Sequence, residues 1–204
     1  MVGQPLPVRA PGVMPARRDA GPGLRLRIWN FLLFELAWFA AVVGAAHHQP
    51  AWGSVVVLAV MAWHLCMAVR PRREAWLLLA VLLLGAALET IQVRLGFVRY
   101  ADAGSSWPPP WLVLLWPLLA ITLNVSLRWL RGRPWLAVVL GGIGGPLAFA
   151  GGVRLGAAQW VDETAALVSL AVLWAAVMPM LLVLARRLDG MTKTAPPARG
   201  AALA

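Results

Sequence analysis

Apolar runs and short polar breaks alternate along the chain six times. Each run is long enough to cross, or nearly cross, a hydrocarbon core that takes about 20 apolar residues. The pattern predicts spans over residues 28–46, 52–69, 75–98, 111–127, 135–158 and 164–185. The breaks carry turn chemistry: His47-His48-Gln49-Pro50, Arg70-Pro71-Arg72-Arg73, Trp107-Pro108-Pro109-Pro110, Arg131-Gly132-Arg133-Pro134, and Gln159 to Glu163. Proline has no backbone donor and punctuates helices. The fold expected is an all-α polytopic membrane bundle of about six transmembrane helices.

Composition supports this. The 204 residues are 61% hydrophobic and 13% charged, with a mean hydropathy of +0.75, far from a soluble domain. The net charge of +10 suggests nucleic acid at first sight. The basic residues, however, sit in short clusters between apolar runs, where membrane topology explains them and nucleic-acid binding does not. Five lie at the start (Arg9, Arg17, Arg18, Arg25, Arg27) and three in the second break (Arg70, Arg72, Arg73). Three more lie in the fourth break (Arg128, Arg131, Arg133) and four at the end (Arg186, Arg187, Lys193, Arg199). All of these fall on one side, which the positive-inside rule makes cytoplasmic, so both termini are expected inside. Arg99 alone lies in a break on the other side; Arg94 and Arg154 lie within predicted spans.

Residues 1–26 and 189–204 read as disordered cytoplasmic tails flanking a membrane domain of residues 27–188. Gly44-Ala45-Ala46 resembles a signal-peptide cleavage site. The run before it is longer than a typical signal core and contains Asn30, Glu35, Trp29 and Trp38, so it reads as a span. A single cysteine, Cys66, supports neither a disulfide framework nor a thiolate metal site.

Two segments match at an offset of 60. Val93-Arg94-Leu95-Gly96 recurs as Val153-Arg154-Leu155-Gly156, Gly85 falls on Gly145, and His64 falls opposite Asn124. The second and third spans then duplicate the fourth and fifth in the same orientation, as in transporters built from parallel repeats. The alternative is chance matching among segments rich in Leu, Gly and Ala. In "GGIGGPLAFAGGVRLG", residues 141–156, Gly141, Gly145, Gly152 and Gly156 share most of one face. The first reading is close packing of a central helix; the others are an interface for a homo- or hetero-oligomer, and a hinge near Pro146.

Ionisable groups inside spans are costly unless paired or hydrated, so each is a candidate site. Glu35, His64, Asn124 and Ser126 all fall in the cytoplasmic half and form one candidate polar cluster, either a hydrogen-bonded clamp or an acid–base pair. In "LLLGAALETIQVRLGF", residues 82–97, Glu89 lies near the midplane with Gln92 on the same face at i+3. Arg94 points elsewhere and snorkels outward. Arg154 is the expected partner in a buried Glu89–Arg154 pair, with a neutral, protonated Glu89 as the alternative. His47, His48 and Asp102 make no convincing metal site, because adjacent helical residues diverge by about 100° and no third His or Cys completes a set. Haem ligand pairs, DxxD-type metal sites and nucleotide loops are not evident. Neither a metal nor another cofactor is expected.

The motifs "NFLLFELAWFAAVVGAAH" (residues 30–47), "TLNVSLRWLRGRP" (122–134) and "GGPLAFAGGVRLGA" (144–157) resemble a bacterial inner-membrane family known as domain of unknown function 2878. The resemblance spans residues 29–188. It implies a small multi-pass protein of the bacterial inner membrane and carries no activity, substrate or catalytic residue. The Arg- and Pro-rich start falls outside the pattern, and Met14 is an alternative initiator. Three classes stay open: a carrier for a small or lipidic molecule, an accessory subunit, and a membrane enzyme acting on a lipid-soluble substrate. The lipid bilayer is the one partner expected in all three.

Overall fold

The computed structural model describes residues 21–100 and 107–192. Most of both predicted tails lies outside them, as do Met14, Asp102, Lys193 and Arg199. Six α-helices follow one another: α1 (Leu24–Ala46), α2 (Pro50–Met67), α3 (Pro71–Leu95), α4 (Pro110–Leu123), α5 (Pro134–Arg154) and α6 (Glu163–Arg187). Four begin with proline, whose fixed φ suits a first turn and whose missing N–H costs nothing there. Asp162 caps α6, its carboxylate accepting from the Ala165 N–H at 2.9 Å. Among the described residues, five helices are long and apolar enough to cross a bilayer. Their outward faces expose large apolar side chains such as Ile28, Leu36, Leu83 and Val172, which suits contact with lipid tails.

α4 is the exception and the centre. At 14 residues it is roughly 21 Å long, short of a hydrocarbon core of about 30 Å. It packs against α1, α2, α3 and α6, and most of its residues are buried. Protein rather than lipid surrounds it, so it need not match the bilayer. The expected fourth span over 111–127 closes early because the chain turns after Leu123: the Val125 and Leu127 N–H groups both bond the Thr122 carbonyl. The central helix is therefore α4, and the glycine-rich α5 is peripheral, packed mainly on α6.

The odd helices leave one end of the bundle and the even helices return to it. The described arginines of the clusters gather at that end, hereafter the basic end. At the other end the connections after α3 and α5 form two short strands, β1 (Val98–Tyr100) and β2 (Ala158–Trp160). The sequence places Val98 and Ala158 at the ends of spans and the other four residues in the breaks that follow. They pair antiparallel, with Val98 opposite Trp160, Arg99 opposite Gln159 and Tyr100 opposite Ala158. Residues 60 apart in sequence thus face each other at Arg99 and Gln159, as a two-fold axis along the membrane normal would place them. Gly96 (φ 72°) and Gly156 (φ 90°) turn the chain out of α3 and α5 in the left-handed region that glycine tolerates.

The likeness between the two halves runs on into the next helix. A Cβ on Gly85 would stand 2.1 Å from the Trp116 ring on α4, and one on Gly145 would stand 2.2 Å from the Trp174 ring on α6. The two indoles stack on each other, centroids 4.8 Å apart and planes 15° from parallel. Units α3–β1–α4 and α5–β2–α6 therefore meet at a tryptophan pair in the middle of the bundle.

Candidate functional site

Polar groups collect in two places. At the basic end, Glu74 stands in the first turn of α3, fully buried. Its Oε2 lies 3.0 Å from His64 Nε2. Its Oε1 accepts from Asn124 Nδ2 at 2.6 Å and from the Gly190 N–H at 2.8 Å. The Arg131 guanidinium donates to Asn124 Oδ1, to Asp189 Oδ2 at 2.8 Å and to the Ala185 carbonyl at 3.3 Å. Arg128 reaches the same Asp189 oxygen at 2.6 Å. Burial alone would push the Asp189 carboxyl up, but hydrogen bonds from Arg131, the Met191 N–H and Arg128 hold it below the usual range. Burial lowers the pKa of Arg131, opposed by Asp189.

The residues after α6 take part in this cluster. Gly190 and Met191 are buried, and the Gly190 carbonyl accepts from the Arg70 N–H at 2.9 Å. Residues 189–192, expected in a disordered tail, are fixed because they satisfy Glu74. Likewise the first helix starts at Leu24, within the expected N-terminal tail.

Of the four residues expected to cluster, His64 and Asn124 meet, but through Glu74. Ser126 joins a neighbouring pair, its hydroxyl donating to Asn30 Oδ1 at 2.8 Å while Asn30 Nδ2 donates to the Ile121 carbonyl at 3.1 Å. Glu35 is elsewhere: half-buried, with no hydrogen bond or ion pair among the described residues. Five residues past Asn30 it points about 140° away from the face of α1 that meets α4. Sequence alone does not mark Glu74, Arg131 or Asp189, because Arg131 lies within a basic break, Glu74 borders another, and Asp189 opens the expected tail. Pro71 was the available signal, since it starts the helix early enough to turn Glu74 inward.

The second place is a cavity of about 300 Å³ toward the strand end, among α1, α3, α4, α5 and α6. This lies at the lower end of the size range of small-molecule sites. Its wall is aromatic: Phe34 and Trp38 of α1, Trp111 and Trp116 of α4, Phe149 of α5 and Trp174 of α6. Glu89 lies on this wall, 1% exposed, and one oxygen accepts from Trp116 Nε1 at 3.0 Å. Tyr100 comes over the cavity because β1 pairs with β2; it is the one buried residue of its strand. Its ring meets Trp111 edge to face at 6.3 Å. Burial, then the neighbouring Glu89 carboxylate, raise its pKa, so the hydroxyl keeps its proton.

Five buried side-chain polar atoms among the described residues have no hydrogen-bond partner, and four belong to this wall: Glu89 Oε2, Tyr100 Oη, Trp111 Nε1 and Trp174 Nε1. Tyr100 and Glu89 are close enough to feel each other without closing a hydrogen bond of normal geometry. On one side the wall is Leu140, Gly144 and Ala148, a stripe at i, i+4 and i+8 of α5 that is exposed on the bundle surface. The cavity therefore opens sideways, between α1 and α5, which make little direct contact.

The expected Glu89–Arg154 pair does not form. Arg154 is the last residue of α5, exposed, with no ion pair among the described residues, while Glu89 lies six residues inside the end of α3 and faces Trp116. Gln92 is half-buried and bonds neither. The four glycines of α5 separate by role. Gly141 and Gly145 are buried against α6, where a Cβ on Gly141 would stand 2.3 Å from the Trp174 carbonyl oxygen. Gly152 faces the cavity with nothing within 4 Å of its Cβ position, and Gly156 makes the turn after the helix. Two of the four thus do no helix packing.

No curated protein and no solved structure matches the chain. A family model does match, over residues 27–180, three quarters of the length and nearly all of the bundle. It is the one that the motifs of α1, α4 and α5 resemble, and the chain belongs to this family, described as Protein of unknown function (DUF2878).

Proposed function

We propose that this multi-pass membrane protein is carrier-like: it takes a small lipid-soluble molecule from the bilayer, through the gap between α1 and α5, into the aromatic cavity. The observation that carries this reading is the lateral opening of an apolar cavity whose lining residues carry four polar atoms without a hydrogen-bond partner. A void lined by seven aromatic residues suits a hydrophobic ligand, and a few polar groups on the same wall suit its head. The arginine distribution supports a cytoplasmic basic end, and with the family's motifs it supports the inner membrane of a bacterium.

An enzyme acting on a lipid-soluble substrate is the second reading. It rests on Glu89 and Tyr100, a carboxyl and a hydroxyl side by side at the cavity wall. The His64–Glu74 pair supports it less, because its partners are already satisfied within the chain. An accessory role through α5 loses part of its basis, since Gly141 and Gly145 are filled by α6 and leave no groove for another chain. Gly152→Leu tests the proposal, because its side chain extends into the cavity. Solvent extraction of the purified wild type, followed by mass spectrometry, is expected to recover a hydrophobic molecule that the folded variant lacks. Equal recovery from both, or none from the wild type, contradicts it. Conversion of the recovered molecule by the wild type would favour the enzyme.

A further inference from the structure

Resting on the cavity as the binding site, we infer that its ligand carries a neutral hydroxyl head, a long-chain or isoprenoid-like alcohol, held between Glu89 and Tyr100. The unpaired atoms set the chemistry. Tyr100 Oη, Trp111 Nε1 and Trp174 Nε1 can all donate, and an indole N–H can do nothing else. Glu89 Oε2 is the one unpaired atom of the wall offering a carboxylate lone pair, and Trp116 already occupies its neighbour oxygen.

A ligand that satisfies the wall must therefore accept from the phenol or the indoles and donate to the carboxylate. An ammonium ion has donors only and leaves all three N–H and O–H groups unmet. A carboxylate or phosphate head has acceptors only and finds no basic residue on the wall to balance its charge. An ether or a hydrocarbon leaves Glu89 Oε2 empty. A hydroxyl does both: its oxygen accepts from Tyr100 and its proton goes to Glu89 Oε2. The rest of the wall has the apolar and aromatic character that a hydrocarbon chain needs, and the exposed stripe Leu140–Gly144–Ala148 lets the tail run out toward the lipid. The second half of the molecule confirms the asymmetry of the site. The residue 60 positions after Glu89 is Phe149, also on the wall, so one half supplies the polar contact and the other an apolar surface.

The test uses full-length protein in lipid nanodiscs and four probes with one branched hydrocarbon chain: the alcohol, its methyl ether, the primary amine and the carboxylic acid. Equilibrium binding is measured for each, with empty nanodiscs as the baseline. The alcohol is expected to bind about tenfold more tightly than the ether, with amine and acid weaker still. In Glu89→Leu the gap between alcohol and ether closes to within about twofold. Tyr100→Phe removes an atom with no hydrogen-bond partner among the described residues, so the fold is kept even if Glu89→Leu fails to assemble. There alcohol and ether both weaken, by about fivefold, while the amine is unchanged. An amine or acid that binds as tightly as the alcohol overturns the hydroxyl inference. So do four equal affinities above the baseline, which leave the cavity reading standing. No probe binding above the baseline overturns both.

Discussion

The Glu74 cluster and the Glu89 cavity each put a carboxylate inside an apolar bundle, and they do so in opposite ways. Glu74 receives three partners, and the chain brings in its own C-terminal segment to supply one of them. Glu89 has one hydrogen-bond partner, and its second oxygen has none among the described residues, nor do three donor groups on other residues of the same wall. A buried polar network that is nearly complete rigidifies the structure around it. One left incomplete beside an opening to lipid points to a partner that is not part of the chain. The basic end has one orphan, Arg131 Nε, on a guanidinium whose other nitrogens are bonded. The comparison therefore supports a structural role for one end and the proposed binding role for the other.

The sharpest way to break this contrast is at Glu74. Glu74→Ala leaves His64, Asn124 and the Gly190 N–H without their common acceptor and is expected to cost about 3–5 kcal/mol. Reversible unfolding in mixed micelles reads this directly; a cost under about 1 kcal/mol would remove the structural role. Glu89→Leu, which loses one hydrogen bond, should cost about 1 kcal/mol in the same assay while weakening ligand binding.

Asp189 comes next. Its carboxyl is held below the usual range in the folded protein, so its contribution is full above the unfolded value near about 3.9 and is lost as pH falls through the lower folded value. Asp189→Asn is expected to cost about 1.5–3 kcal/mol at neutral pH. The difference from wild type should hold down to about pH 4 and shrink below it. A difference that stays constant into acid would show that Asp189 is not ionised in the folded state.

Within α5 the same contrast can be drawn on glycines. Gly141→Ala drives a methyl into the Trp174 carbonyl and should cost about 1–3 kcal/mol, whereas Gly152→Ala should stay within about 0.5 kcal/mol. Equal effects would mean that Gly152 is packed after all. The smallest effects are expected at Arg154 and Glu35, which have no partner among the described residues. Arg154→Gln and Glu35→Gln should each change stability by less than about 0.5 kcal/mol.

Much of the scaffold was legible in the sequence because its cause is local. Apolar length located the helices, prolines marked their starts, and the 60-residue repeat pointed to the equivalent ends of α3 and α5. Where the reading failed, the cause was tertiary. β1 and β2 are three residues each, too short to show a period, and exist because two halves bring equivalent loops together. Glu74 looked solvated beside Arg72 and Arg73 until the chain end returned over it. The cavity is built from what is missing, at Gly144 and Gly152, and no pattern of residues present announces an opening. Glu89 stands out in the sequence as a carboxylate deep in an apolar run, and the structure buries it. The sequence points to Arg154 as its partner because that is a basic residue within another span, whereas Trp116, an apolar residue by composition, supplies the N–H.

The most direct test of the division between the two ends is photo-labelling with a diazirine-bearing long-chain alcohol in nanodiscs, mapped by peptide mass spectrometry. The account predicts label on wall residues such as Leu115 and Phe149, abolished in Gly152→Leu and retained in a folded Asp189→Asn variant. Label spread evenly over the lipid-facing helices, unchanged by Gly152→Leu, would contradict it.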